Sequence, residues 1–254
     1  MSLHAPLRAS SLFFVALFTC FTQDSSDNFI NLSTNCIVAM SSDVTLGNAT
    51  FVSDSCGAAG IVEVLCAGIA ARLSSGHADA AVCTSMLRCL QLLVHHHLSN
   101  QGRLCACGGL ATVTHYIVMC NSVHQSSESM RWAVAIVASV SSSSRAGFDA
   151  AVSCGSLDAV FLAGALCSAH TQEAIAGCIF DMVCSSSHVA AAVKRQCDEE
   201  DVNHIQPFSL LLQSTHPDVR RVAHTIVTRL GKKVDDGAQL RARSSRSPPS
   251  QRWK

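Results

Sequence analysis

Apolar residues along this chain fall in blocks separated by short runs of Ser, Gly, Asp and Asn. Within the longer blocks they recur at helical spacing. Trp132, Ala133, Ile136, Val137 and Val140 stand at i, i+1, i+4, i+5 and i+8, a broad apolar stripe along one helical face. The same pattern predicts long helices over Phe29–Ser41, Ala78–His97, Ser127–Ser141, Gln172–Cys184 and Asp218–Leu230. The last of these opens on Thr215-His216-Pro217-Asp218, with a proline just inside the helix start and an acid in its first turn. It closes at Gly231, a C-terminal cap. Sustained period-two alternation and Asn-Gly hairpin turns are missing, so the prediction is an all-α chain.

The blocks repeat. Cys-Gly precedes an apolar run at Cys56-Gly57, Cys107-Gly108 and Cys154-Gly155, and Cys197-Asp198 is a fourth copy without the glycine. The spacings are 51, 47 and 43 residues. Upstream of each lies a short amphipathic stretch: Ala49–Ser55, Gly102–Ala106, Phe148–Ser153 and Val189–Gln196. Downstream come Gly60–Leu65, Gly109–Val113, Ser156–Phe161 and His204–Leu212, and a longer helix completes each unit. Glycine at the junction permits a left-handed backbone or a close approach of two helices. Units are therefore expected near 9–56, 57–107, 108–154, 155–197 and 198–232, with Cys56, Cys107 and Cys154 at equivalent positions.

A unit of this order resembles an armadillo repeat: short first helix, glycine corner, second helix, long third helix. Ser129-Met130-Arg131-Trp132-Ala133-Val134 is similar to the third-helix signature in which Trp-Ala-Leu follows small residues. His216-Pro217-Asp218-Val219-Arg220-Arg221-Val222-Ala223 resembles the second helix of the related HEAT unit. The resemblance spans residues 10–232. It implies a right-handed superhelical armadillo/HEAT-like solenoid of five units over residues 1–232, with third helices lining a concave face. One unit cannot bury its own apolar faces, so neighbours must stack into a continuous core.

Composition sharpens this picture. Of 254 residues, 48% are hydrophobic and 14% charged, against roughly 25% charged in an average domain. Mean hydropathy is +0.29, which excludes global disorder. The formal net charge is zero, which argues against a nucleic-acid binder along its whole length. That zero conceals a net of −5 over residues 1–231 and +5 over residues 232–254. Residues 233–254 are basic and rich in Ser, Arg and Pro, and are expected to be a disordered, solubilising tail. Ser244, Ser245 and Ser247 there are candidate phosphorylation sites, and the tail is the one segment suited to weak attraction for RNA or anionic lipid.

The 14 cysteines sit mostly inside apolar runs, as in Val64-Leu65-Cys66-Ala67, and read as small buried hydrophobes. Free thiols imply a reducing compartment, and the expected location is cytoplasmic. The alternative is secretion. Leu12–Phe18 follows Arg8 and has the makings of a signal-peptide core, and Asn31-Leu32-Ser33 and Asn48-Ala49-Thr50 are formal glycosylation sequons. No segment reaches transmembrane length without polar interruption.

Candidate chemistry is sparse. His95-His96-His97 lies near Cys105 and Cys107, yet successive helical residues point about 100° apart, so the three imidazoles cannot share one ion. Cys178, Asp181 and Cys184 stand at i, i+3 and i+6, the spacing of a buried helical stripe. There is no Gly-x-Ser-x-Gly elbow, phosphate-binding loop or dinucleotide fingerprint. The expectation is a protein that is not an enzyme and needs no cofactor or metal.

Armadillo grooves of the importin-alpha type use a Trp and Asn ladder. Here Trp132 stands alone, Ile136 occupies the Asn position, and Asp181 and Thr228 are the nearest polar equivalents in later units. A beta-catenin-like groove needs a basic lining, whereas the third helices carry only scattered Arg88, Arg131, Arg220 and Arg221. The candidate partner-binding residues are Arg88, Arg131, Trp132, Ala135, Asp181 and Arg221. They describe a neutral groove of small residues suited to an apolar or helical segment of a protein or peptide partner. Low surface charge equally favours self-association. The competing expectation is a structural or regulatory repeat segment whose basic tail binds anionic lipid or RNA.

Overall fold

A computed structural model describes residues 27–42, 48–75, 81–123, 127–167, 169–198 and 207–231. The Phe-rich stretch before residue 27 and the basic tail lie outside the described residues. Those described form thirteen α-helices and no strand. They are α1 (Asp27–Ser42), α2 (Asn48–Ala58), α3 (Ile61–Ser74), α4 (Ala81–Val94), α5 (Leu98–Ala106), α6 (Gly109–Val123) and α7 (Ser127–Ser143). Then follow α8 (Arg145–Ser153), α9 (Ser156–Leu166), α10 (Ala169–Ser185), α11 (Ser187–Asp198), α12 (Pro207–Leu212) and α13 (Pro217–Arg229).

The five long apolar patterns become α1, α4, α7, α10 and α13. Pro217 opens α13, and Gly231 follows its Leu230 cap with φ 78°. α4 stops at Val94, three residues short of the predicted His97. The reason is capping from the next helix. Asn100 Nδ2 donates to the Leu93 carbonyl (2.9 Å) and Gln101 Nε2 to the Val94 carbonyl (2.9 Å), which takes up the last acceptors of α4. The chain turns through His96 at φ 54°. His97 then caps α5, its Nδ1 accepting the Asn100 N–H at 3.2 Å. That acceptor role leaves the ring proton on Nε2, which faces Asp54 Oδ1 at 2.8 Å.

Three corners share one hydrogen-bond pattern, and it corrects the expected register. Gly60, Gly108 and Gly155 adopt φ of 79°, 73° and 68°. Their N–H groups donate to the carbonyls of Gly57, Cys105 and Val152, each three residues back. Their own carbonyls accept from Val64, Thr112 and Ala159, each four residues on. The helices on either side bend by 69°, 76° and 70°. The equivalent pairs are thus Ala59-Gly60, Cys107-Gly108 and Cys154-Gly155, spaced 48 and 47 residues apart, not a series beginning at Cys56-Gly57. Gly57 lies inside α2 and serves close approach instead: a Cβ there would stand 2.0 Å from Asn100 Oδ1. Cys56 beside it is fully buried.

Packing follows the same order. α1 lies on α4, α4 on α7, α7 on α10 and α10 on α13. α3 lies on α6, α6 on α9 and α9 on α12, while α2 meets α5, α5 meets α8 and α8 meets α11. One cluster of buried apolar side chains extends from Ile30 in α1 to Val227 in α13. Polar ties cross between neighbours within it. Thr114 Oγ1 and Ser156 Oγ share a buried 2.6 Å hydrogen bond between α6 and α9, and Asn100 Nδ2 reaches the Ser53 carbonyl of α2 at 2.8 Å. Among the described residues no single helix is long and apolar enough to cross a membrane.

Candidate functional site

The long helices α4, α7 and α10 leave a groove of about 520 Å³ between them. Its shape follows from residue size. On α7 the groove face carries Ala135, Ala138, Ser139 and Ser142, spaced 3, 1 and 3 as one helical side requires. None is large enough to fill the space. Cys178, Asp181, Met182 and Ser185 repeat that spacing on α10 and form the facing wall. Gln91, His95 and His96 close the end against α4.

Trp132 stands one helical turn before Ala135, between two cations. The guanidinium carbon of Arg131 lies 4.8 Å from its ring centroid and that of Arg88, on the neighbouring α4, lies 5.9 Å away. Its indole N–H is buried and has no hydrogen-bond partner. Burial pushes the Cys178 thiol up, the Asp181 carboxylate adds to the rise, and the Arg131 guanidinium opposes it. Charges of both signs therefore meet at this end of the groove. At the other end burial lowers His95, and His96 beside it acts in the same direction. His95 Nδ1 lies 3.4 Å from Ser139 Oγ.

Of the residues expected from the sequence, Arg88, Arg131 and Trp132 form one cluster, and Ala135 and Asp181 line the groove. Arg221 stands apart on α13, exposed and 2.8 Å from the half-buried Asp218. The α13 arginine that reaches α10 is Arg229, whose Nη1 donates to Cys184 Sγ at 3.0 Å and whose guanidinium covers the Phe180 ring at 5.1 Å. Arg229, Cys178 and the serines of α7 were not singled out from the sequence as groove residues. The signal available for the serines was the small-residue spacing Ala135, Ala138, Ser139, Ser142.

His95, His96 and His97 occupy the α4–α5 turn, not a helix, and among the described residues no three His, Cys, Asp or Glu side chains are grouped to hold a metal ion. None of the described cysteines is joined in a disulfide. Comparison with family models, with curated proteins and with solved structures finds no match to this chain.

Proposed function

We propose that this chain is an armadillo/HEAT-like solenoid acting as a non-catalytic interaction module, which holds an apolar or helical segment of a protein partner in the groove of α4, α7 and α10. The solenoid reading is supported by the order of packing, in which each helix lies on its counterpart one unit away, and by three corners of one geometry. The observation that carries the functional reading is the groove itself. It lies across three successive long helices and is floored by small side chains, and the arginine-flanked Trp132 stands one helical turn before its Ala135. Trp and Arg are among the residue types enriched at the energetic centres of interfaces. A cytoplasmic setting is part of the proposal, supported by cysteines that sit mostly inside apolar runs.

The test is affinity capture with three forms: the full chain, residues 1–231, and Ala135→Glu in the full chain. Each is run at low and high salt. Groove binding predicts that residues 1–231 keep the partner at high salt, because apolar burial is not screened. It also predicts that Ala135→Glu weakens binding about tenfold or more with an unchanged melting temperature. Loss of every partner on removing residues 232–254, with steep salt dependence, would reject the groove. That outcome belongs to tail-borne attachment to RNA or anionic lipid through counterion release.

A further inference from the structure

The groove of α4, α7 and α10 offers a ligand mainly hydrogen-bond acceptors. Ser142 Oγ donates to the Ala138 carbonyl and Ser185 Oγ to the Asp181 main-chain carbonyl, each at 2.6 Å and one turn back on its own helix. Ser143 Oγ donates likewise to the Ser139 carbonyl, and it accepts from Gln101 Nε2 at 3.0 Å. A hydroxyl has one proton and two lone pairs, so Ser142 and Ser185 have only acceptor capacity left for the groove.

Two further groups on the walls lack a partner. The Asp181 carboxylate is exposed and forms no hydrogen bond or ion pair among the described residues. Gln91 of α4 is only 9% exposed, yet its side-chain carboxamide makes no hydrogen bond among the described residues. A carboxamide this deep is costly to leave unpaired, and its place on the wall of a cavity points to an occupant. The nearby cations are committed elsewhere. Arg88 and Arg131 lie beside the Trp132 ring, and Arg229 is held by Cys184 and Phe180. Burial, with His96 beside it, holds His95 below its usual 6.5, so that ring is uncharged at neutral pH. Ile136, the Asn position of a Trp and Asn ladder, is fully buried and takes no part.

We propose that this groove receives an arginine of the partner segment, its guanidinium paired with the Asp181 carboxylate and its methylene stem laid over Ala135 and Ala138. The oxygens of Ser142, Ser185 and Gln91 are the acceptors for its remaining N–H groups. This rests on the groove reading above and names the residue that reading leaves open. A guanidinium carries five N–H donors in a planar fork and no acceptor, which matches a cavity of acceptors on three helices; a lysine ammonium offers three donors from one point. The existing cations set where it lies. Arg131 acts on Cys178, one turn before Asp181, so the incoming charge belongs on the Ser185 side of Asp181, one turn farther from Arg131. A single pair covered by the partner is screened little by salt, so groove binding still survives high salt.

The probes are labelled amphipathic helical peptides of about 16 residues, with leucines along one face and a single central Arg, Lys or Gln on that face. Their binding to the full chain is read by fluorescence anisotropy. The Arg peptide should bind about tenfold tighter than the Gln peptide, with Lys between them. Asp181→Asn, at an exposed position, should bring the Arg peptide to the level of the Gln peptide and leave the Gln peptide unchanged. Gln91→Leu should shift the Arg peptide in the same direction by a smaller factor. The Gln peptide reports the groove alone. If it binds, and is lost in Ala135→Glu, while Arg, Lys and Gln bind alike, the arginine site is overturned and the groove stands. An Arg preference that survives Asp181→Asn, or a Lys peptide as tight as the Arg one, overturns the site as well. Failure of all three peptides to bind overturns the site and the groove together.

Discussion

Asn100 joins three elements through one side chain. Its amide nitrogen feeds the Leu93 carbonyl at the end of α4 and the Ser53 carbonyl of α2, while its oxygen lies over Gly57. The side chain is only 1% exposed, so its removal strands the Leu93 carbonyl at the α4 end away from water and takes a second donor from the Ser53 carbonyl within α2. Asn100→Ala should cost about 2–4 kcal/mol in urea unfolding. Gly57→Ala should cost about 1–3 kcal/mol, because the new methyl strikes the Asn100 oxygen. The double variant should be more stable than the two costs added together, since removing the amide makes room for the methyl. Additive costs would show that the methyl meets something else. The sequence displays Gly57 plainly, but its role depends on a side chain 43 residues away, which no local spacing encodes.

Helix identity was largely legible, because a stripe such as Trp132 to Val140 has no stable alternative to one buried helical face. Pro217 likewise marked the start of α13 through chemistry that only a first turn accommodates. Corners were less legible. Gly57 and Gly60 are the same letter three residues apart, and only backbone sign separates a packing glycine from a turning one. Substitution shows the difference directly. Gly155→Ala forces a methyl into a φ of 68° and should destabilise by about 1–2 kcal/mol. Gly177→Ala sits inside α10 with ordinary backbone and nothing within 4 Å, and should stabilise by about 0.5–1 kcal/mol. Thermal midpoints moving in the same direction for both would contradict the assignment of Gly155 as a corner.

Across the whole molecule each long helix is supported by the one before and the one after, and α13 has no described successor. α7 lies at the centre of that series, with Val134, Ile136, Val137 and Val140 fully buried. Hydrogen exchange should therefore be slowest in α7 and fastest in α1 and α13, with graded protection between. Uniform protection along the chain would count against the proposed solenoid. The groove was partly legible at this scale. Trp132, Ala135 and Asp181 could be placed on long helices from sequence, but the pairing of Arg88 with Trp132 arises only when α4 lies on α7. Small residues on α7 were equally compatible with tight packing, and the choice between a filled interface and an open groove was made by α10.

The three corners carry a consequence for how such a chain changes in length. Residues 61–108 begin after one positive-φ glycine and end on the next, and residues 109–155 do the same. Excising or duplicating either stretch joins a corner to its own equivalent, so the backbone on both sides of the seam keeps the conformation it already has. In the proposed solenoid, length is counted in steps of 47 or 48 residues. Insertions of other sizes must leave the corners themselves intact.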